Sequence, residues 1–291
     1  MPAADAELVF VGTRGGLTAL DRRTGTRKWR ATLWDPNSKA WTDVVLANGR
    51  VCIADYHGAG CADARTGQVL WSRRVDPRGT TGESALDDFA WYVATDSSTV
   101  YALDPATGDQ IWATNAAPEA RYLIRTFGTA VAGDTVYAAM VRWLTEQGGS
   151  VVGDLVAMDR KTGRVLFRYT SPGTRGGFQG KPVIAGRLAI LNDVYAHALV
   201  AVDRFTGQEV WRTEKNESGY ITSERPPVLV GDTLFAASTD TQIYAVDVRT
   251  GNRIWRAFAN HGSLGSLSVC GSILLATDFG AGYVTAMDRA T

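Results

Sequence analysis

Ala201–Trp211 reads AVDRFTGQEVW, and its pattern, A-x-D-x-x-T-G-x-x-x-W, returns along the whole chain. It reads ALDRRTGTRKW at Ala19–Trp29, CADARTGQVLW at Cys61–Trp71 and ALDPATGDQIW at Ala102–Trp112. It continues as AMDRKTGRVLF at Ala157–Phe167 and AVDVRTGNRIW at Ala245–Trp255, and a further copy, AMDRAT, starts at Ala286. The aspartates Asp21, Asp63, Asp104, Asp159, Asp203, Asp247 and Asp288 are spaced by 42, 41, 55, 44, 44 and 41 residues. The repeat is therefore about 42 residues long, with one insertion of about a dozen residues in the fourth copy.

Each period reads as four short strands. In the second they are Thr42–Ala47, Arg50–Asp55, Gly60–Asp63 and Gln68–Arg74, separated by turn residues. No stretch shows helical periodicity, and four strands per period of 40–45 residues is the signature of a propeller. The motif has a local reading. The aspartate ends the third strand and accepts hydrogen bonds from amides two and three residues on. The threonine does similar work, and the glycine takes a positive φ. The ring eight residues after the aspartate wedges between neighbouring sheets, covering about 150–250 Å². These four positions are structural. The expectation is one all-β domain over residues 1–291, a seven-bladed propeller of four-stranded antiparallel blades with incomplete terminal blades. Only seven residues precede the strand-like run at Leu8–Gly12, which leaves little for an innermost first strand.

The repeated motif resembles the tryptophan-docking motif of the PQQ-like, quinoprotein-type propeller repeat. Relatives of this repeat include quinone-dependent alcohol dehydrogenases, outer-membrane assembly scaffolds and sensor domains of kinases. Quinone enzymes of this type use eight blades, an adjacent cysteine pair and metal ligands. This chain has seven units and no adjacent cysteines, so no cofactor is expected, PQQ included, and no metal.

Thirty basic and thirty acidic residues cancel, with no basic stripe, which argues against nucleic acid. No apolar run approaches the roughly 18–20 residues that span a bilayer, so no membrane partner is expected. The opening MPAADAELVF lacks a signal-peptide pattern. The expected location is cytoplasmic, or exported if a leader was trimmed. Cys52 and Cys61 fall on neighbouring strands, where a bridge is conceivable, but buried free thiols are the expected state of the three cysteines.

Function is sought on the face formed by second-to-third-strand turns and inter-blade loops, where residues depart from the repeat. Six residues before each motif aspartate stand Gly15, His57, Ser98, Gly153, His197, Thr241 and Gly282. Two of the three histidines share that offset, beside Tyr56 and Asp193 with Tyr195, and the third, His261, falls in an inter-blade loop. The insertion Val141–Asp154 brings Arg142 and Trp143 and is a candidate lid. Innermost strands offer Trp41, Asp43, Arg125, Lys181, Glu224 and Arg225 at the central mouth, and Asp278 closes a second strand. Trp91 reads as core.

The leading expectation is a soluble binding module presenting this face to a small-molecule or protein partner. The alternative is a cofactor-independent enzyme of lyase, cyclase, isomerase or hydrolase type. There His57 or His197 would act as acid–base, with Asp193 or Glu224 beside it, since histidine alone titrates unperturbed near neutrality.

Overall fold

The computed structural model describes residues 2–35, 43–56, 58–119, 124–145, 149–173, 175–213, 225–238, 240–259, 264–278 and 282–290, leaving out the side chains at 81, 82, 124, 264 and 278. All regular structure among them is β-strand. Seven successive groups of strands follow the seven copies of the motif. The first holds β1 (Ala3–Ala4), β2 (Leu8–Thr13), β3 (Gly16–Asp21) and β4 (Arg27–Thr32). The second holds β5 (Val44–Ala47), β6 (Arg50–Asp55), β7 (Gly58–Asp63) and β8 (Val69–Arg73). The third holds β9 (Thr80–Leu86), β10 (Trp91–Thr95), β11 (Thr99–Leu103) and β12 (Gln110–Asn115). The fourth holds β13 (Ile124–Ala132), β14 (Thr135–Trp143), β15 (Val151–Asp159) and β16 (Val165–Thr170). The fifth holds β17 (Phe178–Ala185), β18 (Leu188–Asp193), β19 (Ala198–Asp203) and β20 (Glu209–Arg212). The sixth holds β21 (Val228–Val230), β22 (Thr233–Ala237), β23 (Gln242–Asp247) and β24 (Arg253–Phe258). The seventh holds β25 (Leu264–Cys270), β26 (Ile273–Asp278) and β27 (Val284–Asp288).

The fold is thus an all-β propeller of antiparallel blades, but its hydrogen bonding gives six sheets rather than seven. The third and fourth groups form one eight-stranded sheet, because innermost β9 and β13 pair in parallel at Glu83 and Gly128. The Thr129 hydroxyl accepts from the Ala85 amide at 3.0 Å and donates to the Tyr92 carbonyl at 2.9 Å, which pins the two groups together. The first group does have an innermost strand. Two residues suffice, Ala3 pairing Phe10 and Ala4 pairing Val9, because Asp5 Oδ1 closes the turn on the amides of Glu7 and Leu8.

Two compact units divide the chain, residues 1–138 with 157–166, and residues 139–156 with 167–291. In the first unit the core is built around Phe10, Leu17, Val51 and Ile53, with a second cluster around Trp71, Trp91, Val93 and Leu103. In the second unit it is built around Ile190, Leu199, Trp211 and Tyr244, with a second cluster around Phe235, Ile243, Leu267 and Leu274.

The motif folds as its chemistry dictates. Asp21 Oδ1 accepts from the amides of Arg23 at 3.0 Å and Thr24 at 2.9 Å, and Asp63, Asp159, Asp203 and Asp247 repeat the arrangement. The docking ring faces its aspartate-side neighbour across the hairpin and donates its indole N–H to the next group. Trp29 donates to the Ala64 carbonyl, Trp71 to Pro105, Trp112 to Arg160 and Trp211 to Val248, at 2.9–3.1 Å. In each case the acceptor is the residue just after the next motif aspartate.

The glycine of the motif carries a second constraint that a single repeat does not display. Gly251 has φ +75°, and a Cβ there would stand 2.6 Å from the Trp211 ring. The same holds for Gly67 on Trp29, Gly108 on Trp71, Gly163 on Trp112 and Gly207 on Phe167. Each ring therefore lies flat on the glycine turn of the following repeat.

The cysteines depart from expectation. Cys52 on β6 and Cys61 on β7 are directly opposed in the antiparallel ladder, with Cα atoms 4.1 Å apart, and they form a disulfide. Facing positions on paired strands bring the two sulfurs within bonding reach. Cys270 is free and exposed.

Candidate functional site

The repeat offset that holds two histidines is a backbone position before it is a chemical one. Gly15, Ser98, His197, Thr241 and Gly282 all have φ between 57° and 73°. This is the left-handed corner of the turn between second and third strands. Histidine is among the few residues with a Cβ that enter it readily. The corner carbonyl receives the amide leaving the outer strand, as in Leu33 to Gly15, Ala116 to Ser98 and Ala259 to Thr241. His197 is exposed there. His57 lies outside the described residues, as do Trp41, Glu224 and His261.

Asp193, the carboxylate nearest His197 in sequence, is fully buried and held on three sides. Its Oδ1 accepts from the Gly177 amide at 2.7 Å and the Ala196 amide at 3.2 Å, and its Oδ2 meets Arg212 Nη1 at 3.2 Å. Arg212 also reaches Glu209 at 3.2 Å and the Tyr169 hydroxyl at 3.1 Å, and that hydroxyl donates to Glu209. Burial, with Glu209 alongside, pushes the Tyr169 phenol well above its ordinary range. Such a network locks the turn and the outer strand together. Tyr195 is exposed and its ring covers Gly177, where a Cβ would come within 2.4 Å. Tyr56 stands in the same relation to Gly79.

Half of the insertion in the fourth repeat is strand, at 141–143 and 151–154. β14 and β15 run nine residues each, and Leu144 donates its amide to the Ser150 carbonyl at 2.9 Å near the tip. Arg142 turns back onto fully buried Asp154, Nε to Oδ2 at 2.8 Å, where Arg168 at 3.2 Å and the Thr170 hydroxyl at 2.6 Å join it. Trp143 ends β14 half-buried.

At the innermost strands Asp43 is buried at the entry to β5, Arg125 is exposed on β13, and Lys181 is half-buried on β17. Arg225 gives its carbonyl to the Asn192 amide at 3.4 Å. Asp278 ends β26, its side chain outside the described set. Arg125 shares its surroundings with Asp96, whose pKa burial raises; Arg125 opposes the rise and Asp76 adds to it. Asp76 accepts from Ser97 at 2.6 Å and Tyr101 at 3.2 Å. Asp76 and Asp96 lie outside the motif, so the repeat gave no signal of this cluster. Among the described residues no group of three or more His, Cys, Asp or Glu side chains is placed to hold a metal ion.

Turn carboxylates, positive-φ glycines and docking rings on antiparallel sheets define a tryptophan-docking β-propeller of the PQQ-like repeat class. Within that class, the chain belongs to the family described as outer membrane protein assembly factor BamB, whose model matches residues 1–114 and 96–266. It is 31% identical over 121 residues to the outer membrane protein assembly factor BamB of Burkholderia pseudomallei, covering 38% of this chain and 30% of that protein. The same-named protein of Nitrosomonas eutropha is 25% identical over 171 residues, 58% of this chain and 38% of that protein. The matched stretches thus span about a third of these relatives' length. Among solved structures, BamB from Moraxella catarrhalis superposes with a TM-score of 0.67 at 24% identity, over 96% of this chain and 79% of that one. The quinohemoprotein alcohol dehydrogenase of Comamonas testosteroni gives 0.61 at 16% identity, over 86% and 46%. At those identities the likeness is one of fold alone.

These relatives correct two expectations. Cytoplasmic placement gives way, because the family is named for the assembly of outer membrane proteins. The disulfide in the second sheet agrees with an oxidising compartment. The expectation of a small-molecule or protein partner with no membrane connection gives way on the same finding, since proteins bound for a membrane are what these relatives are named for handling.

Proposed function

We propose that the chain is a protein-binding module acting in the assembly of outer membrane proteins, a single seven-bladed propeller domain that works without a quinone cofactor. The family match over residues 1–114 and 96–266 carries the reading. Seven copies of the motif support seven blades, and the pairing of Cys52 with Cys61 across two strands leaves no adjacent-cysteine platform for a quinone. Exposed Tyr56, Arg125 and Tyr195 are the contact residues in this reading, each on the turn and inner-strand side away from the Asp-Thr-Gly turns. Asp193, bound by two amides and an arginine, serves the scaffold rather than proton transfer.

The test is affinity purification of the tagged chain from detergent-solubilised membranes of its source. Components of the outer membrane assembly machinery should co-purify. Tyr56→Ser with Tyr195→Ser should reduce their recovery without moving the melting temperature. Recovery of none of those components with the unaltered chain overturns the reading.

A further inference from the structure

On the Asp-Thr-Gly side of the second unit, a groove of about 440 Å³ opens between the fifth and sixth groups. Its floor is Leu188, Leu229 and Val248, resting on the cluster that contains Trp211. Its rim carries Arg187, Arg249 and Asp232. Val248 follows a motif aspartate, at a position that holds Arg22, Arg160, Arg204 and Arg289 in four other copies and Ala64 and Pro105 in two.

The first unit shows what an arginine does there. Arg160 and Val248 are equivalent, since each gives its carbonyl to the docking indole of the preceding group. Arg160 lies across the hairpin of that group, with Nε 3.0 Å from Asp87 and Nη2 2.7 Å from Asp88, and its guanidinium 5.5 Å above the Phe89 ring. In the sixth group valine replaces the bridging cation, and the facing hairpin offers Gly186 and Arg187 where the third offers two aspartates. The polarity is reversed and the gap stands open.

The surroundings favour an anion with an apolar neighbour. The side chains of Arg187 and Arg249 are 65% and 71% exposed. Each is paired on one side, Arg187 Nε with Asp203 Oδ2 at 2.5 Å and Arg249 Nη2 with Asp247 Oδ2 at 3.7 Å, and a guanidinium has five N–H donors, so each keeps donors beyond that pair. Beside the groove Phe205, 59% exposed, lies under the guanidinium groups of Arg204 at 4.2 Å and Arg187 at 5.2 Å. We propose that this groove docks a partner polypeptide segment bearing an acidic side chain next to an aliphatic or aromatic one. The carboxylate meets Arg187 and Arg249, and the apolar group lies on Leu188, Leu229 and Val248. The inference stands on the groove alone and is independent of the assembly-factor reading.

The probe is a fluorescein-labelled peptide, Gly-Ser-Glu-Leu-Phe-Glu-Ser-Gly, read by fluorescence anisotropy against the whole chain. Binding should saturate, and a version with lysine for both glutamates should not bind. Val248→Arg with Arg187→Asp rebuilds the closed bridge of the first unit. That variant should keep the β-sheet circular dichroism spectrum and weaken binding by about tenfold or more, the scale of one lost charge-assisted contact. Should it fail to fold, Arg249→Gln on the exposed rim is expected to weaken binding by about threefold or more on the same grounds. Equal binding of the lysine peptide, no saturation at millimolar peptide, or unchanged affinity in the folded variants overturns the proposal.

Discussion

Gly251 illustrates how much one atom decides. A methyl group there would be strained at φ +75° and would press into the Trp211 ring. Gly49 has nearly the same backbone, φ +71°, but nothing within 4 Å of the added carbon. Gly49→Ala should therefore cost about 1 kcal/mol, from the backbone alone. Gly251→Ala should cost about 3 kcal/mol, because overpacking adds to the strain. Urea midpoints of the two variants measure the difference, and equal losses would show that the ring yields freely. The Thr-Gly pair was legible in sequence as a turn, whereas the steric half of its role was not. Ring and glycine belong to successive repeats, and nothing local announces that they touch. His197 is the converse case. It stood out as chemistry against a background of small residues, and the structure supplies a conformational reason for the position through the φ it shares with Ser98 and Thr241.

At the scale of elements, the β6–β7 hairpin shows where the reading of the chain stopped short. Strand limits in the second repeat were legible to within two residues, and β7 begins at Gly58 rather than Gly60. That small shift fixes the register, since Asp55 pairs Gly58 and Cys52 then faces Cys61. Spacing alone left the thiols free, whereas register joins them. Closing so short a loop contributes roughly 2–3 kcal/mol by chain entropy. Thiol titration of the native protein should find Cys270 alone reactive, and Cys52→Ser with Cys61→Ser should lower the melting temperature. Three reactive thiols, or an unchanged melting temperature, would contradict the bridge. In the fourth repeat, part of the insertion read as a lid lengthens two strands, and Arg142 folds back onto buried Asp154.

Over the whole molecule the turn carboxylates act in concert. Asp21 is lowered to about 2 by the Thr24 amide, Lys28 and the Arg23 amide. At Asp203 burial works upward, but the amides of Thr206 and Phe205 and the Arg187 guanidinium outweigh it and bring the group to about 2. Asp63, Asp159 and Asp247 are lowered as well, by the same kind of turn hydrogen bond. A folded pKa below the ordinary 3.8 stabilises the fold wherever the group is ionised in both states, and that stabilisation is lost as pH falls toward about 2. Melting temperature should hold from neutrality to about pH 5 and then drop steeply between about pH 4 and 2. Asp21→Asn with Asp203→Asn should lower the plateau and flatten the drop. A melting temperature unmoved down to pH 2 would deny these turns their role. At this scale the period of the sequence carried the architecture, while the parallel seam of β9 and β13 and the groove at Val248 lay beyond it. Both arise where one repeat meets the next, at positions the motif leaves variable.

The laying of each indole on the glycine of its successor has an evolutionary corollary. No repeat is self-sufficient, yet the first six copies all carry the same two halves of the joint. Excising or duplicating one full period in the gene rejoins a ring with an equivalent glycine, whereas a cut of fractional length strands both. Lineages built this way can drift in copy number by whole units, with selection acting as a ratchet against every intermediate length.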